Sequence, residues 1–261
     1  MSGYYTFYST GFFGFGPQGT FKAYSLMHLM PILICVGLMV LVWFKRDRIR
    51  AWKSEASLRL CISFLCFLME FSFFVRLLYV GDSSGKYMMM AKVPLHVCDL
   101  GCICCMFMVT GKNRTLFGIN FFVSLFGATI ACVVPQMVLP DCGPAHFRYY
   151  QYFGMHLLPI FGTVYMMMVH GMRPRYRDIW YATGSLAAMV VPSIMINKAF
   201  PGANRMFLEL DIPLFPENMY LRSLVYAVLI IVVFHLMWFA WHLVSRTGEG
   251  RLNASLEDQS K

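Results

Sequence analysis

Seven apolar segments, each long enough to cross a lipid bilayer as a helix, alternate with short polar connections along the 261-residue chain. A bilayer core requires about 20 apolar residues per helix. The segments run over residues 23–44, 57–80, 88–110, 115–136, 149–171, 178–198 and 221–245. The pattern predicts an all-α integral membrane protein, a seven-transmembrane-helix bundle over residues 1–245. Residues 246–261 are polar, and we expect them to form a disordered tail.

The composition supports the membrane class. Only 13% of the residues are charged and 58% are hydrophobic, whereas a soluble domain needs about 25% charged residues to cover its surface. Most of the outer surface must therefore face lipid, and we expect a multi-pass protein of the cell membrane. No basic residue precedes Lys22, so no cleavable signal peptide is expected.

The distribution of Lys and Arg predicts the orientation. The first, third and fifth connections and the C-terminal tail together carry 13 of the 22 Lys and Arg residues, and the other side carries six. Because positive charge is retained on the cytoplasmic side, the N-terminus is predicted outside and the C-terminus inside. The net charge of +9 thus reports topology, and no nucleic acid partner is expected.

Ionisable side chains inside the predicted spans are the candidates for function, since charges in lipid are costly and rare. On a regular helix Lys92, His96 and Asp99 share one stripe. Depth along the spans brings Lys92, His96, Arg76, His28 and His156 to the outer half of the membrane, with Glu70 and Asp99 near the midplane as a floor. Two interpretations stay open: an internal ion-pair network that fixes helix packing, or a polar site that faces outward.

The nine cysteines do not predict a disulfide framework, since eight lie in apolar segments and Cys142 has no loop partner. Most are expected to pack as small apolar residues. Cys104 points away from the face that Cys102 and Cys105 share, so no metal site and no other cofactor is expected. On a regular helix Cys98 lies about 200° around from His96. A base for Cys98 would then come from another span, and His156 is the candidate.

Three motifs carry a resemblance to a known family: "VPLHVCDLG", "MHLLPIFGTVY" running into "RPRYRD", and "GANRMFL". They resemble the YwaF-type integral membrane proteins, the bacterial relatives of transmembrane protein 164, over nearly the whole chain. The resemblance implies a seven-helix membrane protein and carries over six positions: Glu70, His96, Cys98, Asp99, His156 and Asn204. It also implies acyl transfer, because the animal branch moves fatty acyl chains onto ether phospholipids. There the reactive cysteine directly precedes the third-span histidine, where this chain has Leu95.

Two functions remain in competition. The first is a lipid acyltransferase acting on membrane phospholipids, in which the catalytic residues are Cys98, His96, Asp99 and the base His156. Its substrate-binding residues are Glu70, Arg76, Lys92 and Asn204. The alternative is the binding or proton-coupled transport of a small polar solute through Glu70 and Asp99. The long sixth-to-seventh connection is expected either to cover the outer polar cavity or to act as an amphipathic tether.

Overall fold

The structure is a computed structural model that describes residues 12–13, 21–80, 93–135, 143–200, 204–209 and 215–246, except for the side chains of residues 73–80 and 246. Within these ranges the regular structure is helical throughout, and no strand occurs. Seven long helices follow in chain order: α1 (Leu26–Arg50), α2 (Glu55–Val80), α3 (Val97–Gly111), α4 (Arg114–Val133), α5 (Phe147–His170), α6 (Tyr176–Ala199) and α7 (Met219–Arg246).

Each helix coincides with one of the seven predicted segments. Five of them, α1, α4, α5, α6 and α7, are long and apolar enough to cross a membrane by length and composition. The prediction of an all-helical, multi-pass membrane protein is thereby confirmed. The count of seven spans and the orientation of the termini stay predictions.

The bundle is centred on α3 and α4. Helix α3 packs against α2, α4 and α5, and α6 packs against α4. Large apolar side chains on α1 and α7 face away from the bundle, for example Leu33, Phe44, Leu236 and Val244. Because lipid is as apolar as these side chains, such faces suit helices at the periphery of a membrane bundle.

Helix α3 begins later than the sequence predicted. The predicted span starts at residue 88, but among the described residues the helix starts at Val97, and Pro94 lies in a bend before it. His96 is the N-cap, with extended backbone (φ −96°, ψ 156°), and its N–H donates to Oδ2 of Asp99 at 2.8 Å. The prediction that His96 and Asp99 share a stripe of one regular helix is therefore wrong, and the 200° angle between His96 and Cys98, which assumed a regular helix, does not apply. Lys92 lies outside the described residues.

The start of α3 is packed tightly against α4 through Gly101. A Cβ at Gly101 would lie 2.6 Å from Oγ of Ser124, which opens a π-helical turn, Ser124–Ala128, inside α4. Ser124 donates to Oδ1 of Asn120 at 2.7 Å, and Asn120 donates to Oγ1 of Thr163 on α5 at 2.8 Å. This buried network fixes α4 and α5 relative to the first turns of α3.

A buried ion-pair network lies at the other end of α3. Glu55, at the start of α2, accepts from Arg59 at 3.0 Å and from Tyr165 at 2.8 Å, and lies 2.7 Å from Nε2 of His170. Arg59 also donates to the last carbonyl groups of α3, those of Val109 and Thr110. An internal ion-pair network therefore exists, as one interpretation of the charges within the spans proposed, but its members are different residues. It joins the start of α2 to the ends of α3 and α5.

Candidate functional site

Cys98 lies in the first turn of α3, directly after Val97. Its side chain is partly buried, and Sγ lies 3.8 Å from Oδ1 of Asp99. Two other cysteines of this helix have structural contacts, since Cys102 donates to the carbonyl of Cys66 at 3.3 Å and Cys105 to that of Leu158 at 3.9 Å, and Cys104 is buried in the hydrophobic core. Cys98 is therefore the cysteine of α3 whose thiol contacts an ionisable group.

Asp99 joins the backbone of the N-cap to this thiol. One carboxylate oxygen accepts the N–H of His96 and the other contacts Cys98. Only 2% of Asp99 is exposed. Its charge interacts with those of Arg205 and Arg148. Asp99 thus sets the geometry of the first turn of α3, and its negative charge interacts with the two cations Arg205 and Arg148.

His156 reaches the same region from α5. Its Nδ1 lies 2.7 Å from the carbonyl oxygen of Tyr152, and the two rings are 4.5 Å apart. A carbonyl only accepts, so Nδ1 carries the hydrogen and Nε2 of the neutral ring carries the lone pair. The ring is buried and interacts electrostatically with His96 and Arg148. His156 is therefore held in a tautomer that can accept a proton at Nε2.

Glu70, on α2, is a buried carboxyl group. Only 7% of the residue is exposed, and neither carboxyl oxygen has a hydrogen-bond partner in the part of the chain that the structure describes. Its charge interacts with that of Asp99 across the α2–α3 contact. The neighbouring carbonyl of Met69 accepts from Gln151 of α5 at 3.1 Å, which ties the two helices together at this level. A buried carboxyl without a partner is costly and marks a candidate ligand position.

A short loop between α6 and α7 approaches the site. Its 3-10 turn is Arg205–Phe207, and Asn204, Met206 and Phe207 have positive φ values of 46°, 55° and 57°. Such values are uncommon outside glycine and persist where the surroundings fix them. The Phe207 ring lies 5.1 Å from that of His96, so this part of the connection covers the N-cap of α3.

Two reciprocal bonds hold the loop. Asn197 of α6 accepts the N–H of Arg205 at 2.7 Å and donates to its carbonyl at 3.1 Å. Arg222 of α7 donates to the carbonyl of Leu208 at 3.1 Å. The Arg205 side chain interacts electrostatically with Asp99 and Cys98. Burial lowers the pKa of Arg205 and Asp99 opposes that shift, and the guanidinium stays charged because arginine does not deprotonate in proteins.

Comparison with protein-family models identifies the family of the chain. The TMEM164 family model matches residues 21–245. The chain belongs to the TMEM164 family. The match extends from the residues before α1 to the last turn of α7, which confirms the resemblance inferred from the motifs. Comparison with curated proteins and with solved structures gives no match.

The structure brings together five of the predicted site residues: Glu70, His96, Cys98, Asp99 and His156. Asn204 has a structural contact, because its side chain accepts the N–H of Glu209 at 3.0 Å and closes the loop. Lys92 lies outside the described residues, as does the side chain of Arg76.

Two cations of the site were missed by the sequence analysis. Arg205 and Arg148 counted only as outer-side charges, although Arg205 lies inside the "GANRMFL" motif. A cation directly after Asn204 in a family motif was the signal that could have identified Arg205. His28, in contrast, has a structural role, since Nδ1 accepts from Tyr24 at 2.9 Å and Nε2 lies 2.6 Å from the carbonyl of Cys132.

The described residues do not form a metal centre. No group of three or more His, Cys, Asp or Glu side chains among them has the arrangement of a metal site. The arrangement instead offers a thiol, two carboxyl groups, two imidazoles and a guanidinium within electrostatic range of one another.

Proposed function

We propose that this protein transfers fatty acyl chains between membrane phospholipids and that Cys98 carries the acyl group as a thioester. The observation that supports this most directly is the position of Cys98 in the first turn of α3, in contact with Asp99. A position at a helix N-terminus stabilises a thiolate. Among the eight described cysteines, only Cys98 lies in the first turn of its helix.

The chemistry divides into two steps. The Cys98 proton moves to Asp99, and the thiolate attacks the acyl ester of a donor phospholipid. The new C–S bond forms as the C–O bond to glycerol breaks, and Asp99 returns the proton to the leaving glycerol oxygen. The hydroxyl of a lysophospholipid then attacks the thioester while Nε2 of His156 takes its proton. The second step releases Cys98 as a thiolate, and the protonated His156 returns the proton to it.

The proposed setting is the cell membrane, with seven spans, the N-terminus outside and the C-terminus inside. The excess of Lys and Arg on the first, third and fifth connections supports this orientation. It places the start of α3, and with it Cys98, toward the outer leaflet. Labelling of single introduced cysteines near residues 83 and 249 with a membrane-impermeant maleimide tests it. Only the first should react in intact cells.

Intact-protein mass spectrometry tests the acyl-transfer proposal. Purified protein is incubated with mixed phospholipids and ether lysolipids, and a hydroxylamine-labile acyl adduct is expected. The adduct should disappear in Cys98→Ala and persist in Cys61→Ala, since Cys61 is an exposed cysteine on α2. An adduct that survives in Cys98→Ala, or none in the unmodified protein, would contradict the proposal.

A second candidate function is supported by Glu70. Its buried, unpartnered carboxyl lies beside Asp99, and paired carboxyl groups inside a membrane are typical of proton relays. Proton-coupled uptake of a polar solute into proteoliposomes would then depend on both residues. Unchanged flux in Glu70→Gln and Asp99→Asn would exclude this function.

A further inference from the structure

Arg205 is a buried cation that contacts no counter-ion among the described residues. Only 6% of the residue is exposed, and its Nε is buried without a hydrogen-bond partner. None of the salt bridges among the described residues includes it. The nearby Asp99 carboxylate is already engaged with the His96 N–H and the Cys98 thiol. Because an unpaired buried charge is strongly destabilising, this position favours an anion from outside the chain.

A second unpartnered nitrogen lies in the same electrostatic neighbourhood. Nδ1 of His96 is buried and has no hydrogen-bond partner, and His96 interacts electrostatically with Arg205. His96 is also the N-cap of α3, a helix of 15 residues. The backbone N–H groups and the dipole at such an N-terminus favour an anion. A guanidinium, an imidazole ring with an unpartnered Nδ1 and a helix N-terminus together suit an anion with several acceptor oxygens.

The loop fixes the backbone of Arg205 in advance. The reciprocal bonds to Asn197 hold the Arg205 backbone on α6, and the bond from Arg222 holds the end of the turn on α7. A cation held in this way binds an anion without the cost of first ordering its backbone. The arrangement therefore resembles a prepared binding position more than a surface arginine.

We propose that Arg205, with His96 and the first turn of α3, binds the phosphate group of the phospholipid substrate. The inference rests on the proposed function for the identity of the ligand as a phospholipid. A phosphate carries its charge throughout binding and reaction, so it neutralises Arg205 in the bound state. An oxyanion formed during acyl transfer exists only briefly and would leave the cation unpaired in the ground state. Arg205 also interacts electrostatically with Cys98, as a cation that binds the headgroup of a reacting lipid would.

Calorimetric titration of the Cys98→Ala variant in detergent tests the inference. The two probes are a short-chain lysophospholipid and the monoacylglycerol of the same chain length, which lacks the phosphate. We expect the lysophospholipid to bind more tightly. Arg205→Gln should weaken its binding about 10- to 100-fold and leave the affinity for the monoacylglycerol unchanged. Arg205→Lys keeps the charge but loses the planar fork, and it should give an intermediate affinity.

Lys198→Gln is the matched control. It removes a cation at the end of α6 that bonds to Tyr220, and lysophospholipid affinity should not change. Equal binding of the two probes to the Cys98→Ala protein would overturn the inference, as would equal weakening of both by Arg205→Gln. If inorganic phosphate competed as effectively as the lysophospholipid, the ligand of this site would be free phosphate and not a lipid headgroup. Slower turnover of Arg205→Gln with unchanged affinity would assign the residue to oxyanion stabilisation instead.

The binding result stands apart from acyl transfer, because the Cys98→Ala protein cannot form the adduct. Phosphate-dependent binding without any adduct in the unmodified protein would reject the enzyme and keep the Arg205 site. An adduct together with phosphate-independent binding would support the enzyme and reject the Arg205 site.

Discussion

Sγ of Cys98 lies 3.8 Å from Oδ1 of Asp99, while the other carboxylate oxygen of Asp99 accepts the N–H of His96 at 2.8 Å. One side chain thus both terminates the non-helical segment before α3 and contacts the thiol. The same carboxylate defines where the helix begins and which group can receive the thiol proton.

Asp99→Asn separates these two tasks. The amide oxygen can still accept the His96 N–H, so the helix start should persist, but the amide cannot take the thiol proton. We expect the formation of the Cys98 adduct to slow by about 10²- to 10⁴-fold, the usual contribution of a positioned base. Single-turnover mass spectrometry measures the rate, and thermal unfolding checks that the fold is retained. Unchanged rates would remove Asp99 from the mechanism.

His156→Gln should act on the second step. Nε2 of His156 carries the lone pair, because the hydrogen is on Nδ1. We propose that Nε2 takes the proton of the lysophospholipid hydroxyl. The variant should form the Cys98 adduct at the normal rate and accumulate it, since transfer to the lysolipid slows by about 10²-fold or more. The ratio of adduct to product over time reports this directly. Slow formation of the adduct would instead make His156 the base for Cys98.

Gly101→Ala should destabilise the protein by about 1–3 kcal/mol through overpacking. The new Cβ would meet Oγ of Ser124 at 2.6 Å, and Ser124 cannot yield easily because Asn120 holds its hydroxyl. Adding Ser124→Ala should recover part of the loss in a double-mutant cycle of thermal unfolding.

Gly184→Ala is the matched control for this substitution. Gly184 lies in α6 with nothing within 4 Å of an added Cβ. The substitution should therefore stabilise by about 0.5–1 kcal/mol, since alanine is the better helix former. A Gly101→Ala protein as stable as Gly184→Ala would show that α3 and α4 are not in close contact there.

Glu55→Gln should weaken the fold and spare the site. The carboxylate is the common partner of Arg59, Tyr165 and His170, and removing one member of a buried ion pair costs about 3–5 kcal/mol. Thermal unfolding should show the loss, while the adduct at Cys98 still forms in the folded fraction. Asp47→Asn is the control, since its pairs with Arg46 and Arg50 are exposed and should contribute about 0–1 kcal/mol. Equal effects of the two substitutions would contradict the structural role of the network.

The helices and most of the site residues follow from the sequence alone. Hydropathy over about 20 residues reports the cost of placing a segment in lipid, and that cost does not depend on the neighbouring helices. For this reason each of the seven predicted segments overlaps one helix, although the start of α3 was predicted too early. Charged groups are rare in such segments for the same reason, which singled out Glu70, His96, Asp99 and His156 before any contact was known.

Hydropathy did not predict where α3 begins, and only the tertiary structure decided what meets its first turn. Hydropathy treats residues 88–96 as span, but the bond from the His96 N–H to Asp99 ends the non-helical segment at the N-cap. A hydrogen bond at a helix end changes the average apolarity very little, so the pattern does not register it. The approach of Arg205 depends on Asn197 and Arg222, which come from two other helices. Contacts between segments distant in sequence arise only when the bundle packs.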